Sequence, residues 1–328
     1  MASPVLVTGA AGFAGSHLLE LLARASPPLD IVAWHRPDNV TPVESRTTNA
    51  SLRRARWSGL RWEAVNILDA QAVRVAIAGA RPALVYHCAG AAHVGNSWGT
   101  TEATFAVNVL GTHYLLDALR RERLDARVMI PSSALVYAPS GSPLGENHPL
   151  APGSPYGFSK LAQELLGVRS IDDRLHVTIA RAFNHIGPRQ DPLFATSSFA
   201  RQVAEIEAHR REPEIAVGNL DARRDMTDVR DTVRAYTVIL EHGQPGRPYN
   251  VCSGRAIAVR EVLDLMVARA RVPVRVRIEP ARYRPNDLPI VLGDPRRIRD
   301  EMGWAPRIPL EQTVDDLLEY WRSQCEFS

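Results

Sequence analysis

PVLVTGAAGFAG, residues 4–15, decides the fold of this chain. The apolar run Val5-Leu6-Val7 reads as a buried strand, and SHLLELLAR (16–24) continues with the spacing of an amphipathic helix. Between them stand Gly9, Gly12 and Gly15. The first glycine permits a tight turn, the second lets backbone approach a pyrophosphate, and the third lets helix and strand pack closely. A diphosphate would then rest on the free N–H groups of Phe13, Ala14 and Gly15 at the start of the helix. Such a turn, placed after a clear strand, predicts a dinucleotide site in preference to a purely structural turn.

The end of the second strand bears on which dinucleotide. A carboxylate there takes the ribose hydroxyls of NAD, whereas an arginine takes the 2′-phosphate of NADP. Here the stretch is AWHRPD: Arg36, with His35 beside it, occupies the region, and the nearest acid, Asp38, lies beyond Pro37. The stretch points to NADP(H), with NAD(H) as the alternative, because a guanidinium–phosphate fork is the stronger contact.

Further along, short apolar runs alternate with helical patterns, the signature of βαβ units and a parallel sheet. The runs are at 4–9, 30–34, 60–66, 82–89, 126–133 and 175–184, with helices expected at about 13–25, 70–79, 98–121 and 156–170. After about residue 185 the rhythm shifts to helices near 194–210, 228–243, 259–270 and 310–324, with short strands at 214–219, 247–254 and 274–280. The expected fold is α/β: a Rossmann-type doubly wound parallel sheet with a smaller C-terminal α/β substrate lobe. Residues 1–185 would form the NAD(P)-binding domain, joined by the segment around 228–255, and 186–328 mainly the lobe. The Pro/Gly/Ser-rich stretch 138–155 reads as a surface loop bordering a pocket.

Composition excludes several classes. The 328 residues are 45% apolar, yet no run approaches the about 18 apolar residues of a membrane helix. The N-terminus has no charged leader, so a cytoplasmic location is expected. Cys88, Cys252 and Cys325 are far apart and odd in number, which suggests neither a disulfide framework nor a metal site. A net charge of +3 from scattered arginines argues against nucleic acid as a partner.

Of 39 basic residues, Lys160 is the only lysine. It lies four residues after Tyr156 in SPYGFSK (154–160), behind a Pro155 suited to a first helical turn, so the two side chains share one helix face at about 5–6 Å between Cβ atoms. An unperturbed tyrosine is only about 0.1% phenolate at neutral pH, and a neighbouring ammonium favours that form. Ser133, ending the fifth strand in IPSSALVY, can bond the same substrate oxygen. Together they suit hydride transfer at a C–OH/C=O centre.

TGAAGFAG, NVLGT, SSALVY, YGFSK, ARAFNHIGP and RRDMTDVRD resemble the extended short-chain dehydrogenase/reductase family of nucleotide-sugar enzymes, across essentially the whole chain. FNHIGPRQ (183–190), VGNLDARRDMTDVRDTVRAY (217–236), YNVCSG (249–254) and PARYRPNDLPIVLGD (280–294) are most similar to its GDP-4-keto-6-deoxy-D-mannose reductases. The resemblance implies that Ser133, Tyr156 and Lys160 are catalytic and that Asn108 supports them. It places Ala89, Gly90 and Ala91 under the cofactor ribose, with Tyr156 and Lys160 also reaching the cofactor, and Asn66, with Ile67 beside it, near the adenine. It sets Asn184 against the sugar nucleotide and Arg224 and Arg284 on its diphosphate, with Arg201 as a further candidate against a solvated helix residue. Homodimers through the helices at about 98–121 and 156–170 are implied as well.

Two departures from the family pattern carry information. Dehydratases have a glutamate just after the catalytic Ser/Thr, where this chain has Ala134-Leu135; removing the C5 proton needs that carboxylate. Asn66 replaces an aspartate, and an amide can still accept a bond from adenine. Three functions follow as expectations: NADPH-dependent reduction of GDP-4-keto-6-deoxy-D-mannose to GDP-D-rhamnose, a nucleotide-sugar 4-epimerase with tightly bound NAD, and a cofactor-sensing scaffold without catalysis, against which the intact Ser-Tyr-Lys set argues.

Overall fold

The computed structural model describes residues 4–37, 59–283 and 288–326. Six strands precede the change of rhythm: β1 (Val5–Thr8), β2 (Ile31–His35), β3 (Leu60–Ala64), β4 (Leu84–His87), β5 (Ala126–Ser133) and β6 (Leu175–Ala182). Their helices are α1 (Phe13–Leu22), α2 (Ala70–Ala80), α3 and α4 (Pro155–Arg169). Helix α3 runs as Thr101–Phe105, a π-helical turn Ala106–Leu110, and Gly111–Arg121.

Then follow β7 (Asn184–Ile186), α5 (Ala195–Glu207), β8 (Glu214–Val217), β9 (Arg223–Asp228), α6 (Val229–His242), β10 (Pro248–Val251), β11 (Ala256–Ala258), α7 (Val259–Val267), β12 (Arg275–Ile278), β13 (Ile290–Val291), α8 (Arg296–Met302) and α9 (Leu310–Glu326).

Seven strands form one parallel sheet in the order β10-β6-β5-β4-β1-β2-β3. Strand order reverses between β1 and β4, and ligands of such sheets lie outside the carboxyl ends of the strands at that switch point. Nearly every residue of β1, β2, β4 and β6 is buried because both faces are covered. On one side α1 and α6 pack Leu18, Leu19, Val233, Tyr236 and Ile239 against the sheet; on the other, α2 and α3 bury Val73, Ile77, Leu115 and Leu119. Strand β10 and helix α6 come from the later half of the chain, yet they belong to this sheet and its covering layer.

A second core joins α5, α7 and α9 around β8 through Phe199, Val203, Ile215, Val262, Leu317 and Leu318. Between the two, β9 pairs with β7, β11 and β13.

Strands β9, β11 and β13 and helix α8 are among the elements that escape the sequence pattern. Strand β9, RRDMTD, is rich in charge; β11 and β13 have three and two residues; and α8, RRIRDEM, shows a single buried apolar residue, Ile298. The stretch 138–155 is more than a surface loop. Leu144 is buried, its N–H donates to Leu292 O, and its carbonyl accepts from Asp294 N, which ties the stretch to the segment after β13. An apolar residue and two backbone groups find partners there that composition could not show.

Cys88, Cys252 and Cys325 are free thiols. Among the described residues there is no cluster of metal-binding side chains, and no helix is long and apolar enough to cross a membrane.

Candidate active site

The glycine turn connects β1 to α1 over the switch point. Gly9 adopts φ +63°, in the left-handed region, and a Cβ there would sit 2.5 Å from Ala89 N. At Gly15 a Cβ would meet Gly9 O at 2.3 Å. Gly12 opens α1, no side chain caps it, and its first turn carries no acid. The N–H groups of Phe13, Ala14 and Gly15 therefore lack intrahelical acceptors and suit an anion. This bare cradle fits the diphosphate of a dinucleotide.

Around it stand the other cofactor candidates. His35 ends β2, stacks edge-on to Trp62, and its Nδ1 lies 2.9 Å from Arg36 O, while the Arg36 side chain is exposed. Asn66 already accepts from Leu68 N at 3.1 Å through its side-chain oxygen, which retains a second lone pair. Ile67 beside it is buried. Across the turn, Ala89 N donates to Thr8 Oγ1 at 3.1 Å, holding the segment Ala89-Gly90-Ala91 against β1.

Helix α4 brings Tyr156 to Ser133 at the end of β5. Ser154 caps it by accepting from Gly157 N at 3.1 Å, Pro155 occupies its first turn, and Tyr156 N donates to Ser97 Oγ at 3.3 Å. At Gly157 a Cβ would lie 2.5 Å from Leu135 O, so only glycine lets the helix start this close to the turn that follows Ser133. Burial pushes the Tyr156 phenol above its ordinary value, and a hydrogen bond with the Ser133 side chain pulls it partly back. Burial pushes the Lys160 amine down to about 8, with the Glu164 carboxylate and Cys88 acting the other way.

In this structure the ammonium and the phenol have separate hydrogen-bond partners. Lys160 Nζ donates to Gln163 Oε1, one helical turn further on, and the phenol's partner is Ser133. A buried ammonium takes the nearest acceptor, and a glutamine three residues along provides one.

Asn108 lies in the π-helical turn of α3 and is wholly buried. Its Oδ1 accepts from Ala91 N at 2.8 Å, and its Nδ2 donates to Ala91 O at 3.2 Å and to Ser159 Oγ at 2.8 Å. Ser159 Oγ in turn donates to Tyr156 O at 2.7 Å. Asn108 thus joins the Ala89–Ala91 segment to the helix of Tyr156 without touching the phenol.

On the lobe side, Asn184 begins β7 and is exposed. Arg224 on β9 donates from Nη1 to Arg223 O at 2.9 Å and Leu288 O at 2.7 Å. Its neighbour Asp225 is buried and accepts from Ser253 N and Oγ, both at 2.7 Å, Gly254 N at 2.9 Å and Gly293 N at 3.2 Å. That carboxylate clamps three segments under Arg224. Arg284 lies outside the described residues. Arg201 Nε bonds Glu205 Oε1 at 2.6 Å on the exposed side of α5, and its guanidinium covers Trp321 at 5.7 Å.

Ala134 and Leu135 form the turn after Ser133, where no carboxylate stands. Glu164 is bound to Arg181 and Ser132, and Glu146 to Asn250 N and Arg297. Sequence reading missed Ser97, Ser159, Gln163 and Asp225. Two lie inside quoted motifs, YGFSK and RRD, and Gln163 follows Lys160 at helical spacing, so i,i+3 spacing from Tyr156 and Lys160 would have found two of the four.

The GDP-mannose 4,6 dehydratase family model matches residues 6–317. The GDP-6-deoxy-D-mannose reductase of Pseudomonas aeruginosa is 33% identical over an alignment covering 99% of each chain. The solved structure of RMD from Pseudomonas aeruginosa complexed with NADPH superposes with a TM-score of 0.82 at 30% identity, covering 98% of this chain and 100% of that one. The Thermus thermophilus UDP-glucose 4-epimerase complex with NAD gives a TM-score of 0.80 at 28% identity, covering 97% and 99%.

Proposed function

The chain belongs to the GDP-mannose 4,6 dehydratase family of short-chain dehydrogenases/reductases, and on that premise we propose that it reduces the 4-keto group of GDP-4-keto-6-deoxy-D-mannose with NADPH, forming GDP-D-rhamnose. The carrying observation is a Ser133–Tyr156–Lys160 set gathered at one strand end beside Ala134-Leu135, where a dehydratase needs a carboxylate. Without that base, C5 keeps its proton and the remaining chemistry is at C4.

NADPH, when bound, supplies the hydride. Gly9, Gly12, Phe13, Ala14 and Gly15 would hold its diphosphate, His35 and Arg36 its 2′-phosphate, Asn66 and Ile67 its adenine, and Ala89, Gly90, Ala91, Tyr156 and Lys160 its ribose side. Ser133 orients the substrate carbonyl. Tyr156, kept protonated by burial, gives its proton to the oxygen that gains charge. The Lys160 ammonium then stabilises the phenolate left behind. Arg224 and Arg284 would grip the substrate diphosphate as bidentate forks, and Asn184 would contact the sugar nucleotide. Residues 1–185 with the segment around 228–255 would carry the cofactor, and the remainder the substrate.

Apolar residues exposed along α3 and α4, Leu110, Phe158, Leu165 and Val168, support a homodimer through these helices. Purified protein given the keto sugar should oxidise NADPH, and Tyr156→Phe should lower turnover about 10²–10⁴-fold while still binding NADPH. NADPH absorbance that stays constant with that substrate refutes the assignment.

The missing carboxylate also suits a 4-epimerase. Such a protein would purify with NAD attached and need no added reductant, whereas exposed Arg36 supports an exchangeable NADP.

A further inference from the structure

A line of buried hydrogen bonds runs from the glycine-turn strand to Lys160, and at each step only one placement of protons satisfies it. Ala89 N donates to Thr8 Oγ1 at 3.1 Å, so that hydroxyl is free to give its own proton to His87 Nδ1, 2.8 Å away. Thr112 Oγ1 gives its single proton to Asn108 O at 2.6 Å. It can then only accept from its other two neighbours, His87 Nε2 at 2.8 Å and Gln163 Nε2 at 2.7 Å.

The ring of His87 is therefore the Nε2–H tautomer. The amide of Gln163 has its NH₂ turned to Thr112 and its carbonyl oxygen turned to the Lys160 ammonium, which donates to it. All five side chains are buried. Strand β1, the end of β4, the second half of α3, and α4 each contribute to the line.

We propose that Gln163 is a positioning residue for Lys160: its carbonyl oxygen, aimed by Thr112, His87 and Thr8, holds the ammonium in register with the strand that bears the glycine turn. The lysine and the dinucleotide cradle are thereby placed as one unit. A core glutamine that merely satisfied its own polar atoms would not need three other residues to choose which end faces the lysine. The proposal rests on the reading of Lys160 as the site's ammonium, but its test requires neither substrate nor cofactor.

Other groups facing the ammonium are Glu164 on its own helix, held by Arg181 and Ser132, and Cys88 and neutral His87 from the end of β4. Tyr156 lies one turn earlier on α4. Because Lys160 is the chain's only lysine, selective ¹³C labelling of lysine Cε yields a single side-chain resonance whose pH titration reports this amine alone.

In the full-length free protein, Gln163→Met should move the titration midpoint down by about one pH unit, the loss of one charge-assisted acceptor. Gln163→Glu should move it up. A packing role would lower the unfolding temperature and leave both midpoints at the native value, and that result overturns the proposal. Should Gln163→Met fail to show a cooperative thermal transition, Gln163→Glu decides alone: an upward shift supports the contact, and an unchanged or lower midpoint overturns it. Loss of turnover with the keto sugar but normal midpoint shifts would refute the function and leave the positioning role standing.

Discussion

Asn108 and Ser159, 51 positions apart in the chain, meet at 2.8 Å in the buried seam between α3 and α4. Through that contact the π-helical turn of α3 sets the height of Tyr156, because Ser159 bonds the tyrosine's carbonyl one turn back. π-Helical turns recur at functional sites, and here the extra residue turns Asn108 inward toward both Ala91 and Ser159. Asn108→Leu leaves these partners unpaired, at about 1–3 kcal/mol each. It should lower kcat about 10²-fold by displacing Tyr156. Thermal unfolding and steady-state kinetics on one preparation check both; native kcat in a destabilised protein would separate Asn108 from the chemistry.

Reduction should weaken on the alkaline side. The phenol is pushed up by burial and stays protonated, while the Lys160 amine, pushed down by burial to about 8, loses its charge first. The rate of keto-sugar reduction should therefore decline as pH rises through about 8. Stability moves oppositely for this one group: its folded value lies below its unfolded one, so the unfolded chain binds the extra proton and stability rises with pH from about 8 toward the ordinary lysine value. The burial cost is fully present below that window. Comparing unfolding of the native protein with Lys160→Met across the range isolates the contribution, and a flat difference would contradict it.

Cofactor choice should turn on Arg36. Its guanidinium is exposed one residue beyond β2, has no role in the core, and is the group proposed to meet a 2′-phosphate. Arg36→Ala should raise KM for NADPH about tenfold to a hundredfold, the worth of one charge-assisted contact, and leave NADH nearly unchanged. Equal effects on both cofactors would remove Arg36 from the phosphate.

Arg181 and Glu164 form a buried pair, Nη2 to Oε2 2.7 Å, with side chains 5% and 6% exposed. Arg181→Met strands a carboxylate in the core and should cost about 3–5 kcal/mol, with part of the loss recovered in Arg181→Met/Glu164→Gln. Chemical denaturation of the three variants supplies the cycle. An Arg181→Met protein as stable as the native one would show the pair to be dispensable.

Leu165, 61% exposed on α4, should sit at the centre of the proposed dimer seam. Leu165→Glu should convert a dimer to a monomer in light scattering without lowering α-helix content, since the side chain is mostly exposed. A native protein that is itself monomeric removes the seam.

The sequence by itself determined the parallel sheet, the glycine turn and the place of Tyr156 and Lys160 one turn apart on a single helix, because each depends on spacing within a few residues of chain. Val/Ile-rich runs between helical patterns specify strands buried on both faces, and a four-residue interval on a helix places two side chains together in any fold that keeps that helix. Strand β9 was illegible because its residues are charged and its partners β7, β11 and β13 come from distant parts of the chain. Only tertiary structure decided what Lys160 touches, which way Gln163 points, and that Asn108 reaches Ser159. Those contacts join residues from β1, β4, α3 and α4 in a dry interior, where every polar atom must find a partner and the packing of four elements, rather than local spacing, chooses which.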